Sequence, residues 1–107
     1  MFVRVAEVSE VPPGTCKAVD VRGVKVALCN VDGAFFAVQD TCPHMGASLT
    51  EGKLLAGECL ISCPWHAWEF RLDTGDWTAS PGAGTRLERY EVRLEGEDVL
   101  VNTQPES

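Results

Sequence analysis

The two histidines of this chain each follow a cysteine at close spacing, and these two motifs constrain its fold more than any other feature. The motifs Cys42-Pro-His44 and Cys63-Pro-Trp-His66 are separated by residues 45 to 62. Two thiolates and two imidazoles are a ligand set that binds one metal centre. The sequence therefore predicts two loops that lie side by side, with all four side chains as candidate metal ligands.

Short apolar segments bounded by turn residues make up most of the chain, and none shows helical periodicity. Many of these segments are rich in β-branched or aromatic residues, which favour strands. Strands are predicted at residues 2–5, 15–21, 24–29, 35–38, 59–62, 90–95 and 99–101. The sequence therefore predicts an all-β fold, an antiparallel sandwich or barrel.

Two of the predicted connections are tight hairpin turns. The Asp32-Gly pair is typical of a type I′ turn, and Gly96 marks a tight turn between the last two strands. In the strand that starts at Val24, larger apolar residues alternate with smaller or charged ones as far as Leu28. This strand is therefore expected to present one face to the core.

The chain has the size and composition of one globular domain. Its 107 residues and 45% hydrophobic content predict a single domain over residues 1–107. Residues 39 to 85 contain both cysteine–histidine motifs and a third turn-rich loop, at residues 80–84. This stretch is expected to form a small metal-binding subdomain within the domain.

Three of the five cysteines lie outside the two motifs. The first ten residues do not resemble a secretory leader, so a reducing compartment is expected, in which disulfides are rare. Cys16, Cys29 and Cys59 are therefore expected to be small buried apolar residues rather than ligands or disulfide partners.

The charge of the chain limits the kinds of partner it can have. A net charge of −7 disfavours nucleic acid, because the phosphate backbone attracts basic surfaces. An acidic surface either steers a protein towards basic patches on larger partners or serves solubility alone. No segment is long and apolar enough to span a bilayer. The sequence predicts a cytoplasmic protein that does not associate with membranes.

The spacing of the two motifs resembles the cluster-binding signature of the Rieske iron–sulfur family. The resemblance extends to Met45-Gly-Ala47, to the stretch from Trp68 to Gly75 and to the hairpin that begins at Tyr90. It therefore covers nearly the whole chain.

This resemblance implies a Rieske-type fold and one 2Fe-2S cluster. In such clusters two histidines replace two cysteines on one iron. By resemblance, Cys42 and Cys63 hold the inner iron, while His44 and His66 hold the outer iron close to solvent.

The resemblance also implies a function, that of a Rieske-type ferredoxin. Such a protein carries one electron from a flavin- and pyridine-nucleotide-dependent reductase to a terminal oxygenase. Catalysis is not expected, because a self-contained oxygenase needs a second iron site built from two histidines and a carboxylate. Both histidines of this chain already belong to the cluster.

Two alternatives remain open. The small subunit of an assimilatory nitrite reductase resembles the same fold and loops, and stable binding to a large sirohaem-containing subunit would favour it. A zinc-stabilised interaction module is the second, because two thiolates and two imidazoles also bind zinc. A zinc protein is colourless, whereas a 2Fe-2S protein is brown and gives an electron paramagnetic resonance (EPR) signal on reduction.

Residues that flank the motifs have expected structural roles. Asp40 and Glu69 are expected to be solvated surface charges, and contact with a basic partner is the alternative. The nearby aromatic residues are expected to shield the metal centre and fill the core. These aromatic residues are Trp65, Trp68, Phe70 and Trp77.

Overall fold

The computed structural model describes residues 1–43, 46–65, 68–82 and 84–103. The strands in these ranges are β1 (Val3–Glu7), β2 (Cys16–Val21), β3 (Val24–Val31), β4 (Ala34–Gln39), β5 (Lys53–Leu55), β6 (Leu60–Ser62), β7 (Glu69–Arg71), β8 (Arg89–Glu95) and β9 (Asp98–Asn102). Three short 3-10 helices cover Val8–Glu10, Leu49–Glu51 and Ala56–Glu58. None of the helices in these ranges is long and apolar enough to cross a membrane. The predicted all-β fold class is confirmed.

Six strands form one antiparallel sheet in the order β1-β9-β8-β4-β3-β2. The sheet curls until its edge strands, β1 and β2, approach each other and nearly close a barrel. Alternate side chains of a strand point to the same face, so one face of the sheet lines the interior. We call the buried residues there the barrel core: Ala6, Val11, Val21, Val26, Leu28, Ala37, Val99 and Val101.

The hairpin turns follow the predicted chemistry. Asp32 and Gly33 have positive φ angles of 52° and 94°, as a type I′ turn requires at both central positions. Val31 and Ala34 pair on either side of this turn. The turn at Gly96 joins β8 to β9, as predicted.

The second sheet is small, with the antiparallel order β5-β6-β7. It packs on the outer face of β3 and β4 and buries a second group of residues. We call this group the loop core: Ala27, Cys29, Val38, Cys42, Ala47, Leu49, Ile61, Cys63, Phe70, Leu72 and Leu87. β6 lies within the strand predicted at residues 59–62, whereas β5 and β7 were not predicted. Three residues are too few to show a clear alternation.

The middle of β3 is buried on both faces, so the prediction of one inward face is wrong. Val26 and Leu28 enter the barrel core, while Ala27 and Cys29 enter the loop core. Alanine and cysteine are small enough for the second sheet to pack closely on them. β3 therefore separates the two cores and contributes to each.

Cys16 and Cys29 form a disulfide, so the prediction of two separate buried thiols is wrong. The two residues are direct partners in the β2–β3 register, and their Cα atoms are 4.1 Å apart. Opposite residues approach this closely in the narrow pairs of an antiparallel ladder. The disulfide lies where β2 crosses the edge of the loop core.

Candidate metal centre

The Cys42 loop, from Thr41 to Ser48, begins one residue after the end of β4, with Asp40 between them. Its two end residues form an isolated β-bridge. The N–H of Cys42 donates to the carbonyl of Ala47, and the N–H of Gly46 donates to the carbonyl of Cys42, both at 2.8 Å. These bonds fold the loop back on itself and leave Cys42 only 1% exposed.

Gln39, the last residue of β4, fastens the start of this loop to the segment that leads into β8. Its Nε2 donates to the carbonyl of Thr41 at 2.6 Å, and its Oε1 accepts from the N–H of Glu88 at 2.8 Å. The N–H of Gln39 also donates to the carbonyl of Glu88, at 2.9 Å. The Cys42 loop therefore starts from a fixed point on the barrel.

The second motif begins at Cys63, directly after β6. The N–H of Cys63 donates to the carbonyl of Trp68 at 3.0 Å, and Ser62 pairs with Glu69 just outside this bond. Cys63 is 4% exposed and belongs to the loop core, as does Cys42. The structure thus brings both predicted cysteine ligands into one buried cluster.

Gly52 follows the Cys42 loop and lies directly against β6, the strand that ends just before Cys63. A Cβ atom at this position would collide with the carbonyl oxygen of Ser62. Only glycine allows the chain that leaves the Cys42 loop to approach the backbone before Cys63 so closely.

Aromatic residues cover part of the loop core. Phe70 is fully buried, and Trp68 stacks on Trp77 with ring centroids 3.8 Å apart. These three residues fill the core as predicted. Trp65 is 64% exposed, so its predicted packing role is wrong. It presents an aromatic surface to solvent, two residues after Cys63.

The two carboxylates that flank the loops differ in their surroundings. Asp40 is only 5% exposed, so the prediction of a solvated surface charge is wrong for this residue. Glu69 is half-buried at the start of β7. A buried carboxylate next to the Cys42 loop is a feature that the sequence pattern did not reveal.

Cys59 lies outside the disulfide and is partly buried. Burial raises the pKa of its thiol, and the negative charge of Asp73 adds to this rise. The expectation of a buried apolar residue is met in part, because Cys59 packs against the loop core but stays partly exposed. That it is not a metal ligand stays a prediction.

His44 and His66, the two predicted imidazole ligands, lie outside the described residues. Within the ranges that the structure describes, no group of three or more histidine, cysteine, aspartate or glutamate side chains could hold a metal ion. The donor chemistry nevertheless fits a 2Fe-2S cluster with mixed ligands. Two buried cysteines lie in one core, and each precedes a histidine by two or three residues.

A nearly closed barrel is joined to a small sheet that buries one cysteine from each of two loops, and this arrangement defines a small all-β protein with a candidate two-loop metal site. The family model described as the Rieske [2Fe-2S] domain matches residues 1–104, and the chain belongs to this family. The predicted cofactor, one 2Fe-2S cluster, is thereby confirmed.

Curated and structural relatives agree with this assignment. The chain is 44% identical over 101 residues to the biphenyl dioxygenase ferredoxin subunit of Pseudomonas sp. strain KKS102, covering 94% of this chain and 91% of the relative. It also resembles the ferredoxin of carbazole 1,9a-dioxygenase from Nocardioides aromaticivorans IC177. That match has a TM-score of 0.87 and 28% identity, and it covers 97% of this chain and 99% of the other.

Two further solved structures resemble the chain. A chain in the complex of reduced oxygenase and oxidized ferredoxin in carbazole 1,9a-dioxygenase matches with a TM-score of 0.86 and 33% identity, covering 99% of this chain and 96% of the other. A putative NADPH nitrite reductase small subunit matches with a TM-score of 0.82 at 22% identity, covering 96% and 99%. The second likeness shows a shared fold only.

Proposed function

We propose that this chain is a Rieske-type ferredoxin whose 2Fe-2S cluster is held by Cys42, His44, Cys63 and His66. The observation that carries the proposal is the burial of both cysteines in one core, each at the start of a motif loop. The cytoplasmic location predicted from the sequence is part of this proposal.

The surroundings of the two cysteines suit a one-electron carrier. When bound, the cluster supplies a centre that gains and loses a single electron. The fully buried Leu49 and Phe70 exclude water from the cysteine side, and solvent exclusion is one of the factors that set a reduction potential. Pro43, Pro64 and Trp65 are exposed. We infer that electrons enter and leave on the side of these exposed loop residues.

The proposed partners are a flavin-dependent reductase as donor and a terminal oxygenase as acceptor. The support comes from relatives, which are named as ferredoxin subunits of dioxygenases. The carbazole 1,9a-dioxygenase complex of oxygenase and ferredoxin adds to it. This chain would therefore supply electrons and leave the chemistry on the substrate to the oxygenase.

The test is cluster assembly followed by single-turnover electron transfer. The purified chain should bind iron and sulfide in equal amounts, turn brown and give an EPR signal on reduction. Rapid mixing of the reduced protein with a ring-hydroxylating oxygenase should then oxidise the ferredoxin. A colourless zinc-containing protein would contradict the proposal. Stable purification with a sirohaem-containing subunit would instead favour the nitrite reductase alternative.

Trp65→Ala is expected to weaken binding to the oxygenase by roughly 30-fold, since an exposed aromatic anchor at an interface is typically worth about 2 kcal/mol. The EPR signal should stay unchanged. Leu94→Ala is the matched control, because Leu94 is a large exposed apolar residue, 47% exposed, on β8 outside the loops. Titration calorimetry with the oxygenase measures both affinities. If Trp65→Ala binds the oxygenase as tightly as Leu94→Ala does, the surface that binds the oxygenase lies elsewhere on the protein.

The surplus of acidic side chains is expected to steer the chain towards basic patches on its partners. In that case the second-order rate of electron transfer falls steadily as ionic strength rises, because salt screens exposed charges. Stopped-flow measurements from low to physiological salt test this. A flat or rising rate would assign the charge to solubility alone.

A further inference from the structure

Asp40 is a buried charged residue next to the Cys42 loop. Burying a carboxylate is unfavourable unless hydrogen bonds replace its lost water. Its surroundings meet this condition: the hydroxyl of Ser48 donates to Oδ2 at 2.6 Å, while the N–H and the hydroxyl of Thr50 donate to Oδ1 at 2.8 and 2.6 Å. The Asp40 carboxylate therefore binds Ser48 and Thr50, at the point where the chain leaves the Cys42 loop.

The backbone of Asp40 adds two hydrogen bonds to those of its side chain. Its N–H donates to the carbonyl of Lys25 on β3 at 3.0 Å, and its carbonyl accepts from the N–H of Leu49 at 2.6 Å. One residue is thus attached to the barrel and at the same time holds the end of the Cys42 loop.

The same connection continues to the second motif. From Thr50 the chain reaches Gly52, which lies against the carbonyl of Ser62, and then β5, whose Lys53 pairs with Ser62 just before Cys63. The arrangement of one cysteine relative to the other therefore depends on where residues 48–52 are held. Among the described residues, the Asp40 carboxylate accepts the side-chain hydrogen bonds that hold the start of that segment, next to Leu49, whose side chain is buried in the loop core.

We propose that Asp40 is a positioning residue that clamps the Cys42 loop and sets the geometry in which the two loops hold the cluster. This inference rests on the proposed cluster site. Hydrogen-bonded groups behind metal ligands orient those ligands, and their loss typically lowers metal affinity or activity about 10–100-fold. The Asp40 clamp acts on the cysteine ligand indirectly, through the backbone of the Cys42 loop.

Variants can separate the clamp from the charge of Asp40. Asp40→Ala removes both, whereas the double change Ser48→Ala with Thr50→Val keeps the carboxylate and removes two of its three donors. Asp40→Asn removes the charge but keeps an acceptor for Thr50. Glu51→Gln is the matched control, because it removes one exposed negative charge from the end of the same segment.

The measurement is the rate at which iron passes from the assembled protein to a chelator, together with the EPR g values of the reduced cluster. We expect Asp40→Ala and the double variant to lose iron about 10–100-fold faster than wild type and to show shifted g values. Asp40→Asn should lie between them and wild type, and Glu51→Gln should match wild type. If Asp40→Ala does not fold, the double variant decides the question.

Two results would overturn the clamp. One is wild-type iron release and g values in the double variant. The other is an iron-release rate for Glu51→Gln as high as that of Asp40→Asn. That result would mean that the loss of a negative charge alone accounts for the faster release. A wild-type protein that binds no iron would instead refute the proposed cluster site, so the two failures can be told apart.

Discussion

Replacing Cys42 or Cys63 by serine is expected to abolish assembly of the 2Fe-2S cluster. Each change removes a thiolate from a buried position in the loop core, and a serine hydroxyl is a much weaker ligand than a thiolate for an iron–sulfur cluster. Because metal binding contributes folding free energy, the variants should also melt at a lower temperature than the loaded wild type. Iron and sulfide analysis, visible absorption and thermal unfolding measure these effects.

Cys59→Ala is the control for this experiment, because it removes a thiol from the edge of the same core without touching either motif. Its iron content and spectrum should equal those of wild type. Full iron and colour in either serine variant would refute the ligand assignment. A loss of the spectrum in Cys59→Ala would show that the wrong cysteines have been assigned.

Gly52→Ala is expected to destabilise the protein by about 1–3 kcal/mol or more, the range for inserting an atom where there is no room. The added Cβ would collide with the carbonyl oxygen of Ser62, and neither backbone can move without shifting a motif loop. Denaturant unfolding of the apoprotein gives the change in free energy, and iron content after assembly shows the effect on the site.

Gly57→Ala is the matched control for this change. Gly57 lies in the nearby 3-10 helix at Ala56–Glu58, where an added Cβ would have no neighbour within 4 Å. Its stability should equal that of wild type or exceed it slightly, because alanine restricts the unfolded chain. Equal losses in both variants would mean that the close approach at Gly52 has no special effect.

Much of the barrel was predictable because its signals are local. Turn chemistry places the Asp32-Gly33 hairpin, and short apolar runs give the strands on either side of it. The disulfide was also within reach of the sequence. Strands predicted to end at Val21 and to resume at Val24 fix a register in which Cys16 faces Cys29. That register predicts the disulfide, whereas the expected reducing compartment predicted two separate thiols.

Burial around the site was not predictable, because it depends on how the two sheets pack. Asp40 looks like a surface charge until the loop brings Ser48 and Thr50 to its carboxylate. Trp65 looks like a core residue until the loop turns it towards solvent. For such residues the side-chain type gives an average tendency, while tertiary contacts decide the outcome.

The position of β3 between the two cores limits where this protein can be chemically modified. From Val26 to Asn30 every residue of the strand is buried, so a dye or an electrode linker attached there would disturb both cores at once. The exposed residue Glu97, in the turn between β8 and β9, belongs to neither core. A cysteine introduced at this position would give an exposed thiol for attaching the protein to an electrode surface. The other thiols of the chain lie in buried or partly buried positions.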